Sequence, residues 1–245
     1  MRAASLLLLA LALAANADER RSGRDTMSVA LRALQADDVQ HPAQLALALG
    51  REQWSAGAKS CASCHGEPDA LRGAATRYPA WDRGQSSFLD LPGRIQRCRV
   101  RHQQQPAWAP EAEPLLALAA LVAQQSRGLP LQPPRGPELD AAAKRGERLY
   151  TTRIGALNLS CAQCHDERAG LRLGGSLIPQ GHVDDYPVYR LEWQSLGSLQ
   201  RRLRGCLSGV RAKVWAWDSA ELLALEVWLS RRSAGMAMQP PGVRP

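Results

Sequence analysis

Two pentapeptides constrain this chain more than anything else in it: CASCH at 61–65 and CAQCH at 161–165. Both read C-x-x-C-H, the attachment motif for c-type haem. In such a motif each cysteine forms a thioether to one haem vinyl group. The adjacent histidine then lies beneath the iron as its proximal ligand. The spacing fits one helical turn, so all three groups reach the porphyrin together. A zinc site would need a second ligand pair for each motif. A redox dithiol is the other alternative, and it gives the following histidine no task. The motifs therefore predict two covalently attached c-type haems, held by Cys61, Cys64, Cys161 and Cys164, with His65 and His165 on the irons.

The N-terminus supports this reading, because c-type haem is joined outside the cytoplasm. Arg2 precedes the apolar run LLLLALALAA, and ANA at 15–17 is a small-x-small cleavage site before Asp18. The run is too short for a transmembrane anchor, which needs about 18 apolar residues. A signal peptide over 1–17, cleaved on export to the periplasm, is the expectation, with no membrane anchor in the mature protein. The formal net charge of +8 suits anionic partners or substrates. Nucleic acid is not among them, since the chain is exported and carries no nucleic-acid motif.

The repeat extends beyond the motifs. EPLLALAALVAQQSRGLP at 113–130 matches AELLALEVWLSRRSAGMA at 220–237. Each is apolar at helical spacing, then polar or basic, then closed by glycine. Each unit reads as helix, haem motif, irregular wrap and closing helix. Between them lies LPLQPPRGPELD, 129–140, a semi-rigid linker with four prolines. The predicted fold is mainly α, with two tandem cytochrome c-like domains related by internal duplication. They span 18–130 and 131–245, the second carrying the active site. Aromatic residues are 5 % of the chain, which suits a core partly filled by a macrocycle.

Methionine is the common distal ligand of electron-transfer cytochromes. Here no methionine stands between Met27 and Met236, and Met236 follows the closing helix of the second unit. Cys98, His102, His182 and Cys206 are the other candidates. His41 is expected at the surface. Cys98 and Cys206 occupy equivalent places, in RIQRC and RLRGC, each with an arginine four residues earlier, Arg94 and Arg202. A duplicated cysteine in a duplicated module suggests one shared role, thiolate ligation of iron. That strong donor lowers the reduction potential relative to methionine. A Cys98–Cys206 disulfide is the structural alternative in an oxidising compartment. His102 meets Val210 at the matching place of the second unit, and His182 has no counterpart in the first.

Three segments carry a resemblance to a known family: LSCAQCHDERAGLRLGGSLIPQGH, YPVYRLEWQSLGSLQRRLRGCLSGVRA and RCRVRHQQQPAWAPEAEPLLALAALVAQQSRG. With them the chain resembles the di-haem form of SoxA, the larger subunit of the SoxAX cytochrome complex of thiosulfate oxidation. The resemblance covers nearly the whole mature chain. It implies His/Cys ligation at both irons, His65 with Cys98 and His165 with Cys206. It implies that Cys206 is also the catalytic cysteine, found as a persulfide or similar adduct, with Arg202 as the active-site arginine. The implied reaction, an L-cysteine S-thiosulfotransferase activity, joins thiosulfate oxidatively to a cysteine of the SoxYZ carrier. Electrons leave through haem to a small acceptor cytochrome c. SoxX, a mono-haem cytochrome, is the implied heterodimer partner.

Charge supports the assignment at Cys206. Arg201, Arg202, Arg204, Arg211 and Lys213 surround it in RRLRGCLSGVRAKVW with no acid between. Cations favour the reactive thiolate, and the planar fork of an arginine suits a sulfonate. Gly205 and Gly209 flank Cys206 where the first unit has Arg97 and Arg101, so the second sulfur is expected to be more open. Two other readings stay open at this level: a thiosulfate dehydrogenase forming tetrathionate, and a di-haem cytochrome that only transfers electrons.

Overall fold

The computed structural model describes residues 20–245. The expected signal peptide, 1–17, lies outside the described residues. Within them the first half runs α1 (Val29–Ala36), α2 (Gln44–Ser55), α3 (Cys61–His65), a hairpin of β1 (Ala80–Asp82) and β2 (Ser87–Leu89), α4 (Leu91–Arg101) and α5 (Glu113–Gln124). The second half runs α6 (Pro137–Thr151), α7 (Cys161–His165), β3 (Arg172–Leu173), β4 (Ser176–Leu177), β5 (Val188–Arg190), β6 (Ser195–Gly197), α8 (Leu199–Gly209), α9 (Ala220–Arg232) and β7 (Gly242–Arg244). The fold is mainly α, as the sequence predicts. No described helix is long and apolar enough to cross a membrane.

The duplication reaches down to backbone contacts. In each half the helix before the haem motif crosses the closing helix at a glycine. A Cβ on Gly50 would stand 2.5 Å from the carbonyl oxygen of Ala117, and one on Gly146 would stand 2.1 Å from that of Ala224. Only glycine permits so close an approach, and the closing helices fill the centre. On α5 every residue from Leu115 to Ala123 is buried, the mark of a helix enclosed on all sides. The hairpins correspond in register as well, Ala80 opposite Leu89 and Val188 opposite Gly197.

Each hairpin packs on the other half. Trp81 and Phe88, paired across β1 and β2 at 4.7 Å, rest on Leu139, Ala142, Ala143 and Val227 of α6 and α9. Reciprocally, Tyr189 and Leu196 of β5 and β6 rest on Leu47, Leu116 and Ala120 of α2 and α5. The two modules thus complete each other's cores. The proline-rich segment between them is pinned too. Leu131 is buried, its N–H donates to the Met236 carbonyl, and its own carbonyl accepts from Gly235. Met238 is buried there against Ala75, Ala123 and Leu131, in a core cluster apart from those that hold the haem-motif cysteines.

The N-terminal arm corrects one expectation. His41 is not at the surface: it is 3 % exposed. Its Nε2 faces the Pro241 carbonyl at 3.0 Å, while Nδ1 accepts from the N–H of Ala43 at 3.1 Å. The arm reaches the C-terminal strand, where β7 runs parallel to β5 and the Gln35 amide oxygen accepts from the Val243 N–H. A histidine so placed works as a neutral bridge between donor and acceptor. Burial, with the nearby Arg127 charge, holds its pKa below the ordinary imidazole value. The neutral form is favoured in the fold, so the unfolded chain binds the extra proton first. Stability from this site is fully present above about pH 6.5, the unfolded value, and is lost as pH falls through and below it. We expect the urea midpoint to drop more steeply from about pH 7 to about pH 5 in the native sequence than in His41→Gln. Parallel curves would remove His41 from the acid sensitivity.

Candidate functional site

Each haem-motif helix is short and held at its start. Ser60 caps α3, its hydroxyl accepting from the Ser63 N–H at 3.0 Å. Ser160 caps α7 reciprocally: its hydroxyl accepts from the Gln163 N–H, and the Gln163 side chain accepts from the Ser160 N–H. Such capping supports a single turn that could not stand alone. It puts Cys161, Cys164 and His165 on one turn. Apolar walls line the first cysteine of each motif. Cys61 packs against the cluster of Trp54, Leu118, Leu121 and Val122. Cys161 packs against the cluster of Tyr150, Leu225 and Leu229. Burial pushes the Cys161 thiol up to about 11.

His165, the histidine of the second motif, has its ring fixed by a backbone contact. Its Nδ1 meets the Pro179 carbonyl at 2.7 Å. A carbonyl can only accept, so Nδ1 carries the proton and Nε2 keeps its lone pair for iron. Gly181, at φ +73°, lets that loop lie against the ring, where a Cβ would stand 3.3 Å from it. His65 is built differently. It is exposed, tilts against Trp54 at 6.0 Å, and has no hydrogen-bond partner among the described residues. The donor set, the capped motif and the apolar walls fit a covalently held haem in each half.

The opposing cysteines come from α4 and α8. Asp90 caps α4 by accepting from the Gly93 N–H at 2.7 Å, and Ser198 caps α8 by accepting from the Arg201 N–H at 3.1 Å. The caps fix where the helices begin and so where Cys98 and Cys206 point. Cys206 lies in the same half as His165, near enough for the ring to lower the thiol's pKa. Cys98 lies near Cys61 and Cys64. No disulfide joins any two of the six cysteines, each half keeping its own three, so Cys98 and Cys206 are not bridged. His102 is exposed at the end of α4. His182 is buried with Nδ1 3.4 Å from the Ser233 hydroxyl.

The two thiols differ electrostatically. Burial would push Cys206 up, but the His165 contact and the charges of Arg202 and Arg190 outweigh it and hold the thiol below its ordinary value. Burial wins at Cys98: its pKa is raised, and Arg94 offsets only part of that. The cations beside the two thiols also differ in their partners. Asp82 on β1 pairs with Arg94 at 3.5 Å and with Arg97. At the matching hairpin position the second half has Arg190 instead. Arg202 is exposed and pairs with no carboxylate among the described residues. Arg190 is tied to Glu192 at 3.0 Å and to the Pro245 carbonyl at 2.9 Å. Burial and the nearby Arg202 charge lower its pKa. Two cations held near each other beside a thiolate form a place where an anion relieves repulsion.

Arg190 is the residue that sequence reasoning missed. The signal was present as a charge reversal between YPAWD and YPVYR. The cationic run around Cys206, in turn, is less concentrated than it reads. Arg201 stacks on Trp193 at 3.9 Å, and Arg204 stacks on Trp217 at 4.3 Å while donating to the Trp215 carbonyl. These two are engaged by the fold. The expected openness does not reach the sulfur: nothing lies within 4 Å of a Cβ built on Gly205 or Gly209, but the Cys206 thiol is more deeply buried than that of Cys98.

Comparison with known proteins places these features. A family model described as "SoxA/TsdA, cytochrome c domain" matches residues 49–131 and 145–238. The L-cysteine S-thiosulfotransferase subunit SoxA of Pseudaminobacter salicylatoxidans is 33 % identical over 234 residues, covering 93 % of this chain and 82 % of the relative. The protein of the same name from Allochromatium vinosum is 33 % identical over 211 residues, covering 83 % and 74 %. The crystal structure of SoxXA from P. pantotrophus superposes with a TM-score of 0.88 at 26 % identity, over 92 % of this chain and 87 % of that one.

Proposed function

The chain belongs to the SoxA/TsdA cytochrome c family and carries covalently bound haem c; from that premise we propose that it is the catalytic subunit of an L-cysteine S-thiosulfotransferase, conjugating thiosulfate to a cysteine of the SoxYZ carrier. The single observation that carries this reading is the setting of Cys206: it shares its half with the second haem motif and lies beside the cations Arg202 and Arg190, whose charges favour the thiolate. The site lies in the C-terminal module, 131–245. An export signal over 1–17 and a periplasmic mature protein are part of this proposal. Two haems are held, through Cys61 and Cys64 and through Cys161 and Cys164, with His65/Cys98 and His165/Cys206 as axial pairs.

When bound, the second haem supplies the acceptor for two electrons in succession and passes them to a small cytochrome c. The residues do the rest. Arg202 takes two sulfonate oxygens of thiosulfate on its fork, and Arg190 adds the second charge. The outer sulfur of thiosulfate joins the Cys206 sulfur with loss of two electrons, giving Cys206–S–S–SO3⁻. The carrier thiolate then attacks the outer sulfur. It leaves with the thiosulfonate, and the Cys206 thiolate is the leaving group. A low-pKa thiolate leaves well, so the cations that hold the sulfonate also favour release. A persulfide on Cys206, left when water attacks the sulfonate sulfur of Cys206–S–S–SO3⁻ and sulfate departs, is the proposed isolated form, seen as one extra sulfur on its peptide.

The reading is tested by incubating the holoprotein, with its small cytochrome partner, with thiosulfate, reduced carrier and an electron acceptor. The carrier should gain one thiosulfonate, read by intact mass. Tetrathionate formed equally fast without carrier would favour the thiosulfate dehydrogenase alternative instead. Reduction of haem with neither product would leave an electron-transfer cytochrome. The partner itself, a small mono-haem cytochrome of the SoxX type, should co-elute with this chain on size exclusion at micromolar concentration.

A further inference from the structure

Behind His165 lies a contact that its counterpart His65 lacks. Arg232, in the last turn of α9, donates to the carboxylate of Asp166, the residue directly after the proximal histidine. The same guanidinium reaches the Gln180 carbonyl at 3.3 Å through both Nε and Nη2. Gln180 directly follows Pro179, whose carbonyl takes the His165 Nδ1 proton. One fork therefore grips both sides of the hydrogen bond that orients the imidazole. Tyr150 braces the acid, its hydroxyl donating to Asp166 at 2.9 Å. The N–H of Arg21 holds the Gln180 side chain at 2.6 Å.

The first half has no such clamp. At the place of Arg232 stands Gln125, whose amide donates back to Leu121 on its own helix at 2.9 Å. At the place of Asp166 stands Gly66, whose carbonyl accepts from Trp54 at 2.9 Å. We propose that Arg232 is a positioning residue for the proximal ligand: it keeps the His165–Pro179 hydrogen bond closed and so lowers the reduction potential of the second haem. The physical reason is donor strength. An imidazole whose Nδ1–H is bonded to a carbonyl is the more basic ligand at Nε2. A stronger donor stabilises ferric iron over ferrous. The inference rests on haem being held by both motifs.

The test is a redox titration of the holoprotein followed optically and by electron paramagnetic resonance. Haem content is measured first. Two per chain supports the di-haem reading; one per chain overturns that reading, while the potential of the second-motif haem still decides on Arg232. Arg232→Gln should shift the second haem to a more positive potential and change its resonance signature, leaving the first haem unmoved. Arg232→Lys, which keeps charge but loses the fork, should recover part of the shift. Asp166→Asn, a milder change, should move the potential in the same direction by less. An unmoved second potential in Arg232→Gln and Asp166→Asn, with only a lower melting temperature, would reduce Arg232 to a structural tie and overturn the proposal.

Discussion

Cys206→Ser should abolish thiosulfate conjugation, with a loss on the order of 10⁴-fold or more, as expected for removal of a nucleophile. The reason is specific to sulfur. A serine oxygen forms no disulfide-type bond to the outer sulfur of thiosulfate, and it is not a good leaving group for the carrier to displace. The cations that lower the Cys206 thiol cannot bring a hydroxyl near thiolate-like reactivity. Haem attachment should survive, because Cys161, Cys164 and His165 sit on α7, away from the substituted helix. The control is Cys98→Ser. Cys98 has its pKa raised by burial and sits beside cations bound to Asp82. That variant should change the first haem's resonance signal and leave conjugation near its native rate. Full conjugation by Cys206→Ser, with both haems counted, would make Cys206 a ligand only.

Arg202→Ala should lower conjugation by about 10²–10³-fold, the loss typical of one charge-assisted donor aimed at developing charge. Arg202→Lys tells fork from charge. If bidentate binding of the sulfonate matters, lysine should restore only a minor part of the rate. If charge alone matters, it should restore most of it. Arg190 gives the complementary case. It is anchored by Glu192 and Pro245, so it cannot follow the substrate as Arg202 can. Arg190→Gln should weaken thiosulfate binding more than it slows the step after binding. Arg190→Asp recreates the charge of Asp82 and should silence the second site as the first is silent. A full rate in both Arg202→Ala and Arg190→Asp would remove the paired cations from the mechanism.

The sequence by itself determined everything that depends on local spacing. Cys61, Cys64 and His65 lie within five residues, so no tertiary contact is needed to read them. The same holds for α7 and for the periodic apolar faces of α5 and α9. The equivalence of Cys98 and Cys206 was also legible, because duplication writes the same spacing twice. What the tertiary structure decided depends on partners far apart in the chain. His41 looked like a surface histidine until the C-terminal strand supplied Pro241, 200 residues away. The reciprocal packing of the hairpins was not legible, since a three-residue strand carries no label for the helix it will cover. Of the cations around Cys206, Arg201 and Arg204 were drawn off by Trp193 and Trp217, and Arg190 entered from a hairpin 16 residues earlier. Spacing along one chain fixes which groups a haem can bind; only packing fixes which charges share the sulfur's side of it, because charge acts through space and not along sequence.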